Sequence, residues 1–241
     1  MSQTSSNKLP RLNVTSLSQY IRLESCDRFL RLRLRHDEEH ALLKRWNLTI
    51  QPLTPLLQES GAQFERRIMA SLIGRGENVV DLDGQDVAAT ATALQQIRQP
   101  TILLQPSVEA PLGDFLCHGR ADVIRLERDR KGALRVLIAD IKASRHERME
   151  HRLQVATYAH LLRGMADDQD LVISDMQGAV VILPEDGNLL PLDGNTPTFD
   201  LDTYLTILER FAIAPDSTVA RINGASFSQV SYHLGYKCDG C

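Results

Sequence analysis

The chain has 241 residues, of which 43% are hydrophobic and 5% aromatic, with a formal net charge of −4 and a pI near 6.0. That is enough apolar content for one substantial core, while no apolar run approaches the roughly 20 residues that cross a bilayer. The balance argues weakly against a passive nucleic-acid coat held by a global basic field and little against a nuclease, and the low aromatic content argues against a broad base-stacking platform.

Residues 1–10 are small and polar and are expected to be disordered. No secretory signal opens the chain, so a cytoplasmic location and no structural disulfide framework are expected for its four cysteines, Cys26, Cys117, Cys238 and Cys241. Ser16-Leu-Ser-Gln19 has the form of a capping box and predicts a helix carrying Leu17, Tyr20, Ile21 and Leu23, then Cys26, Phe29 and Leu30. Residues 28–35 alternate arginine with leucine and suit either helix or strand. Their basic side reads equally as a solvated face or as a phosphate-contacting edge.

A second box, Ser60-Gly-Ala-Gln63, predicts a helix to about Ile73, with Phe64, Ile68 and Leu72 as its buried stripe. Glu65 lies within it beside Arg66 and Arg67. Taken alone Glu65 reads as a surface glutamate, and where the helix packs decides whether it is more. Residues 78–82 predict a short strand, 86–98 a helix, and 101–104 and 106–108 extended chain.

The stretch from His118 to Lys142 organises the rest. Two apolar runs flank a charged loop, Arg128-Asp-Arg-Lys-Gly132, which suits a hairpin. If the loop centres on Lys131, Asp122 stands opposite Asp140. Strand alternation then places Lys142 on the face of Asp140, and His118 and Arg120 on the face of Asp122. Opposed β-carbons lie about 4.5–5.5 Å apart, so two carboxylates there repel and call for a cation, a divalent metal above all. Cys117, one residue before His118, reads as a buried structural thiol rather than a ligand.

A helix is predicted over residues 147–163, with Gln154 and Tyr158 four apart on one face and His151 a turn earlier. Residues 179–183 predict a strand that pairs with 189–192, and 198–214 a helix. The tail from Phe227 is expected to be extended, ending in Cys238-Asp-Gly-Cys241, which reads as part of a metal or cluster site.

The order Glu65 on a helix, Gly119-Arg120-x-Asp122 and Asp140-x-Lys142 on strands, and Gln154-x-x-x-Tyr158 on a helix resembles the RecB-like branch of the PD-(D/E)xK nucleases. At the ends, Tyr20, Cys26-x-Arg28-Phe29 and Cys238-x-x-Cys241 resemble its iron–sulfur subgroup, which includes the CRISPR adaptation nucleases and AddB-type helicase–nucleases. The resemblance implies an α/β fold, a restriction-endonuclease-like core with a central mixed sheet flanked by helices. It implies a single domain over 11–241, with a catalytic core at about 56–163 and cysteine-bearing ends at about 15–35 and 227–241.

It further implies a magnesium- or manganese-dependent deoxyribonuclease, an exonuclease acting in DNA repair, recombination or mobile-element defence. Asp122, Asp140 and the Ile141 carbonyl would hold the metal, with Glu65 doing so directly or through water. Lys142 would orient the attacking water or neutralise the phosphate, and Gln154 and Tyr158 would position it. Arg120 and Arg145 are the candidate DNA contacts, and the partners implied are DNA and an associated or fused helicase, with no membrane. Cys26, Cys238 and Cys241 would ligate a 4Fe–4S cluster whose fourth cysteine is expected beyond residue 241, since the sequence reads as cut short there. Zinc, with His233 as a further ligand, is the alternative. A catalytically silent DNA-binding module of a larger assembly, and a structural salt-bridged hairpin, are the competing readings.

Overall fold

The structure, a computed structural model, describes residues 9–49, 55–184, 192 and 196–234. Strand β1 (Arg11–Asn13) leads into helices α1 (Val14–Arg22), α2 (Asp27–Leu34), α3 (His36–Trp46) and α4 (Pro55–Gly74). Then follow β2 (Asn78–Asp81), α5 (Val87–Gln96), β3 (Thr101–Leu104), β4 (Ser107–Leu112), β5 (Phe115–Arg120), β6 (Val123–Arg128) and β7 (Leu134–Lys142). The remainder is α6 (Met149–Asp167), β8 (Ile173–Ile182), β9 (Thr198–Asp200), α7 (Asp202–Leu208) with a π-helical turn over Glu209–Ile213, and α8 (Thr218–Gly224). No helix among the described residues is long and apolar enough to cross a membrane.

The strands form two mixed sheets, β1-β5-β4 and β2-β3-β6-β7-β8-β9, with helices on their faces. Alternation divides the larger sheet cleanly. Ile102, Leu104, Val123, Ala139 and Ile141 pack with the Phe64, Ile68 and Leu72 stripe of α4. Leu103, Ile124, Leu126, Val136 and Ile138 join a second core with Leu153, Ala156, Leu161 and Leu162 of α6. The sheet therefore lies between α4 and α6, the two helices that carry Glu65 and the Gln154/Tyr158 pair.

The hairpin loop sets the register of β6 against β7. Asp129 accepts the backbone N–H groups of Lys131 (2.8 Å) and Ala133 (3.0 Å), and Gly132 takes a φ of +85°. Arg128 then faces Leu134 and Val123 faces Ala139, the register centred on Lys131.

Several elements differ from their sequence-based expectation. Helix α1 begins at Val14 with Asn13 as its cap, whose side chain accepts the Thr15 N–H at 2.7 Å, so the Ser16–Gln19 box lies inside the helix. Residues 27–34 are helical: Arg31 turns inward, donating to the Ile222 and Asn223 carbonyls and to Glu38. Helix α4 starts upstream of the Ser60 box, and β8 runs longer than 179–183. Its antiparallel neighbour among the described residues is β9; residues 189–191 of the expected partner lie outside them. Residues 198–200 are strand rather than the start of a helix. Helix α3, which leaves no residue buried, carried no apolar stripe to announce it.

Candidate active site

The predicted continuous strand through His118, Arg120 and Asp122 is broken. β5 belongs to the three-stranded sheet, and β6 to the six-stranded one. The chain crosses between them at Ala121 and Asp122, alongside a matching crossing at Gln105 and Pro106. Ala121 N–H donates to the Pro106 carbonyl (3.1 Å), and Gln105 N–H to that of Asp122 (2.9 Å). His118 consequently faces Glu109 and Asn13 in the smaller sheet rather than sharing the face of Asp122. Arg120 forms an exposed ion pair with Asp83 at 2.7 Å.

Asp122 stands one position beyond the Val123–Ala139 rung, abreast of Asp140. Its carboxylate replaces a ladder partner, accepting the Ile141 N–H at 2.5 Å. Asp140 is 1% exposed. Lys142, on the same face, donates to Asp140 Oδ1 at 2.9 Å. Its Nζ is also 2.8 Å from Oδ2, so the ammonium pairs with both carboxylate oxygens and is hydrogen-bonded to Oδ1.

The electrostatics follow from burial and crowding. Burial raises the proton affinity of Asp122, and the Asp140 charge raises it further. Burial raises that of Asp140 as well, with Lys142 pulling the other way. Burial disfavours the Lys142 ammonium, yet the charges on Asp140 and Asp122 outweigh it and strengthen its hold on the proton. Glu65 is pushed up by burial and then by Asp122. Tyr158 is pushed up by burial and by both aspartates, so its phenol stays protonated. One carboxylate neighbourhood thus reaches α4, β6, β7 and α6.

Gln154 and Tyr158 are both buried, and the Gln154 amide donates to the Tyr158 hydroxyl at 3.2 Å. Tyr158 lies against Gly119, where an added Cβ would sit 2.8 Å from its ring. This close approach accounts for the glycine of the Gly119-Arg120-x-Asp122 motif. A turn earlier, His151 Nδ1 accepts the Arg148 N–H at 3.3 Å. Burial, then the Lys142 charge, lowers its proton affinity. Arg145 is exposed in the loop between β7 and α6.

Glu65 lies near enough to Asp122 to feel its charge, but it is held by a neighbour of its own. The Gln105 side-chain amide holds its Oε1, and among the described residues no three His, Cys, Asp or Glu side chains surround a common point. Asp122 and Asp140, abreast on adjoining chain segments, are the two carboxylates that could share one divalent cation. Gln105 was not anticipated. It is a single polar residue before Pro106, at φ +51°, and a polar residue interrupting two apolar runs was the available signal.

Cys26 is buried at the start of α2. Cys238 and Cys241 lie outside the described residues. The last described stretch nonetheless returns to Cys26. The Ser231 carbonyl accepts the Arg28 N–H (3.1 Å), and His233 Nε2 is 3.1 Å from the Leu23 carbonyl. Cys117 is fully buried, and burial pushes its thiol up to about 12, as suits an inert structural residue.

No family model and no curated protein matches the chain. Among solved structures, the crystal structure of SSO0001 is similar at 14% identity over 83% of this chain and 74% of that one, with a TM-score of 0.32. A likeness of that size carries no argument about function.

Proposed function

We propose that the chain is a magnesium- or manganese-dependent DNA nuclease of the RecB-like PD-(D/E)xK type. The observation that carries this reading is the opposed Asp122–Asp140 pair, Asp140 buried and Asp122 partly so, with Lys142 on the same face. Two carboxyls pressed together this way favour a divalent cation. A magnesium or manganese ion, when bound by Asp122 and Asp140 with the Ile141 carbonyl as a further donor, supplies stabilisation of the charge that builds on phosphate oxygens.

The chain's own groups do the rest. The Lys142 ammonium donates to the attacking water or to a phosphate oxygen, and its strengthened proton affinity keeps it charged across the neutral range. The Tyr158 hydroxyl accepts from Gln154, which leaves its own proton for a phosphate oxygen. Arg145 offers an exposed cation for the DNA backbone, and Arg120 does so once released from Asp83. Glu65, whose Oε1 accepts from Gln105, would hold a metal or its water through the other oxygen. At the ends, Cys26, Cys238 and Cys241 would hold a 4Fe–4S cluster, or zinc with His233, and the return of residues 231–233 to the Cys26 region supports such a staple.

A second reading, a catalytically silent DNA-binding module within a helicase-containing assembly, draws on the tether between Glu65 and Gln105. End-labelled single- and double-stranded DNA, incubated with manganese, magnesium or chelator, separates the two. The nuclease reading expects metal-dependent cleavage lost in Asp140→Ala. Metal-dependent binding without cleavage would favour the silent module, and cleavage unchanged in Asp140→Ala would refute the assigned site.

A further inference from the structure

Helix α6 presents His151, Gln154 and Tyr158 at positions i, i+3 and i+7, one continuous stripe. The last two are buried toward the aspartates, and the first is half-buried at the helix start, within the field of Lys142. The proton on His151 can be placed. Nδ1 accepts the Arg148 backbone N–H, so the neutral ring must carry its hydrogen on Nε2. Among the described residues Nε2 has no hydrogen-bond partner. The charge of Lys142 on β7 reaches the ring, and Glu147, Arg148 and Glu150 flank it at the start of α6. Burial and the Lys142 charge keep it neutral, so it offers a single directed donor rather than a second charge.

We propose that His151 Nε2–H is a substrate contact, donating to a non-bridging oxygen of a DNA phosphate beside the Lys142 ammonium. The inference rests on the nuclease reading and deepens it. Along the stripe, Tyr158 and Lys142 hold the phosphate nearest the aspartates, and His151 contacts the backbone where it enters past the start of α6. A neutral donor suits that place. A further cation beside Lys142 would be repelled, whereas an N–H on a fixed ring adds direction without charge.

The three substitutions of interest separate this role from helix capping. His151→Asn keeps an acceptor near the position of Nδ1 for the Arg148 N–H but has no atom reaching the place of Nε2. His151→Gln restores an N–H near that place. His151→Ala removes both. DNA binding is measured by fluorescence anisotropy in chelator, so that cleavage does not contribute, with thermal unfolding of each variant alongside. His151→Asn is expected to melt like the wild type and to bind about tenfold more weakly, the effect of one hydrogen bond to a charged oxygen. His151→Gln should recover most of that loss. Wild-type affinity in His151→Asn, or equal weakening in His151→Asn and His151→Gln, would overturn the contact while leaving the nuclease reading standing. Wild-type protein that neither binds nor cuts DNA would overturn both.

Discussion

At Asp122 and Asp140 each carboxyl ionises against its own burial as well as against its neighbour, with the Lys142 ammonium as counter-charge. Both proton affinities are raised in the folded chain, so the folded state binds more protons than the unfolded one above the usual carboxylate range. Their contribution is therefore full below that range and is lost as pH rises through the raised values. Without divalent metal, thermal stability should fall with pH across that window, and manganese should flatten the fall. Asp122→Asn can still accept the Ile141 N–H but carries no charge. It should stabilise the metal-free protein at neutral pH by about 1–2 kcal/mol, read as a melting point a few degrees higher. A lower melting point would mean that the pair is a structural asset rather than a strained site. Lys142→Ala should reduce DNA cleavage by roughly 10²–10⁴-fold while leaving binding nearly intact. Turnover at the wild-type rate would remove Lys142 from the chemistry.

At the scale of elements, the site depends on how β5, β6 and α6 meet. Gly119 has Tyr158 Cε1 at 2.8 Å and Val14 Cγ2 at 2.9 Å from where a Cβ would sit, and both neighbours are buried and packed. Gly119→Ala must displace both, or shift its own strand. It should cost about 1–3 kcal/mol in urea unfolding and shift Tyr158 at the expense of turnover. A neutral effect on both would show that the contact yields freely. The facing of Asp122 and Asp140 was legible in the sequence because the Lys131-centred loop and the apolar alternation fix one register. The bend at Ala121–Asp122 was not. Gly119 to Asp122 alternates as smoothly as a straight strand, and the force that bends it comes from hydrogen bonds to Gln105 and Pro106, remote in sequence. Glu65 was legible as a residue on a helix, but its hold by Gln105 required the tertiary arrangement. The Arg28–Arg35 run left helix and strand open for a related reason: the carbonyl acceptors that draw Arg31 inward lie near residue 222.

Across the whole molecule, the two ends of the described chain are joined at Asp27. Its carboxylate accepts from Tyr20 (3.0 Å), Ser231 (3.0 Å) and Arg221 (3.2 Å). Burial works against its charge, but these donors more than compensate and hold it below the usual carboxylate range. Its contribution is present above the unfolded value and is lost as pH falls through the folded one, so acid should loosen the ends first. Asp27→Ala strands three donors and should cost about 2–4 kcal/mol, with faster amide exchange across residues 227–234. Unchanged exchange there would place the joint elsewhere. Cys26, one of the proposed cluster ligands, adjoins this joint, and the proposed cleavage site lies on the larger sheet, so the two claims can be tested apart. The most direct test of the cleavage site is a calorimetric titration of manganese into wild-type and Asp122→Asn protein near neutral pH, in buffers of different ionisation heat. The account predicts saturable binding with proton release in the wild type, and loss of both in Asp122→Asn. Equal binding by the two proteins, or none by the wild type, would contradict it.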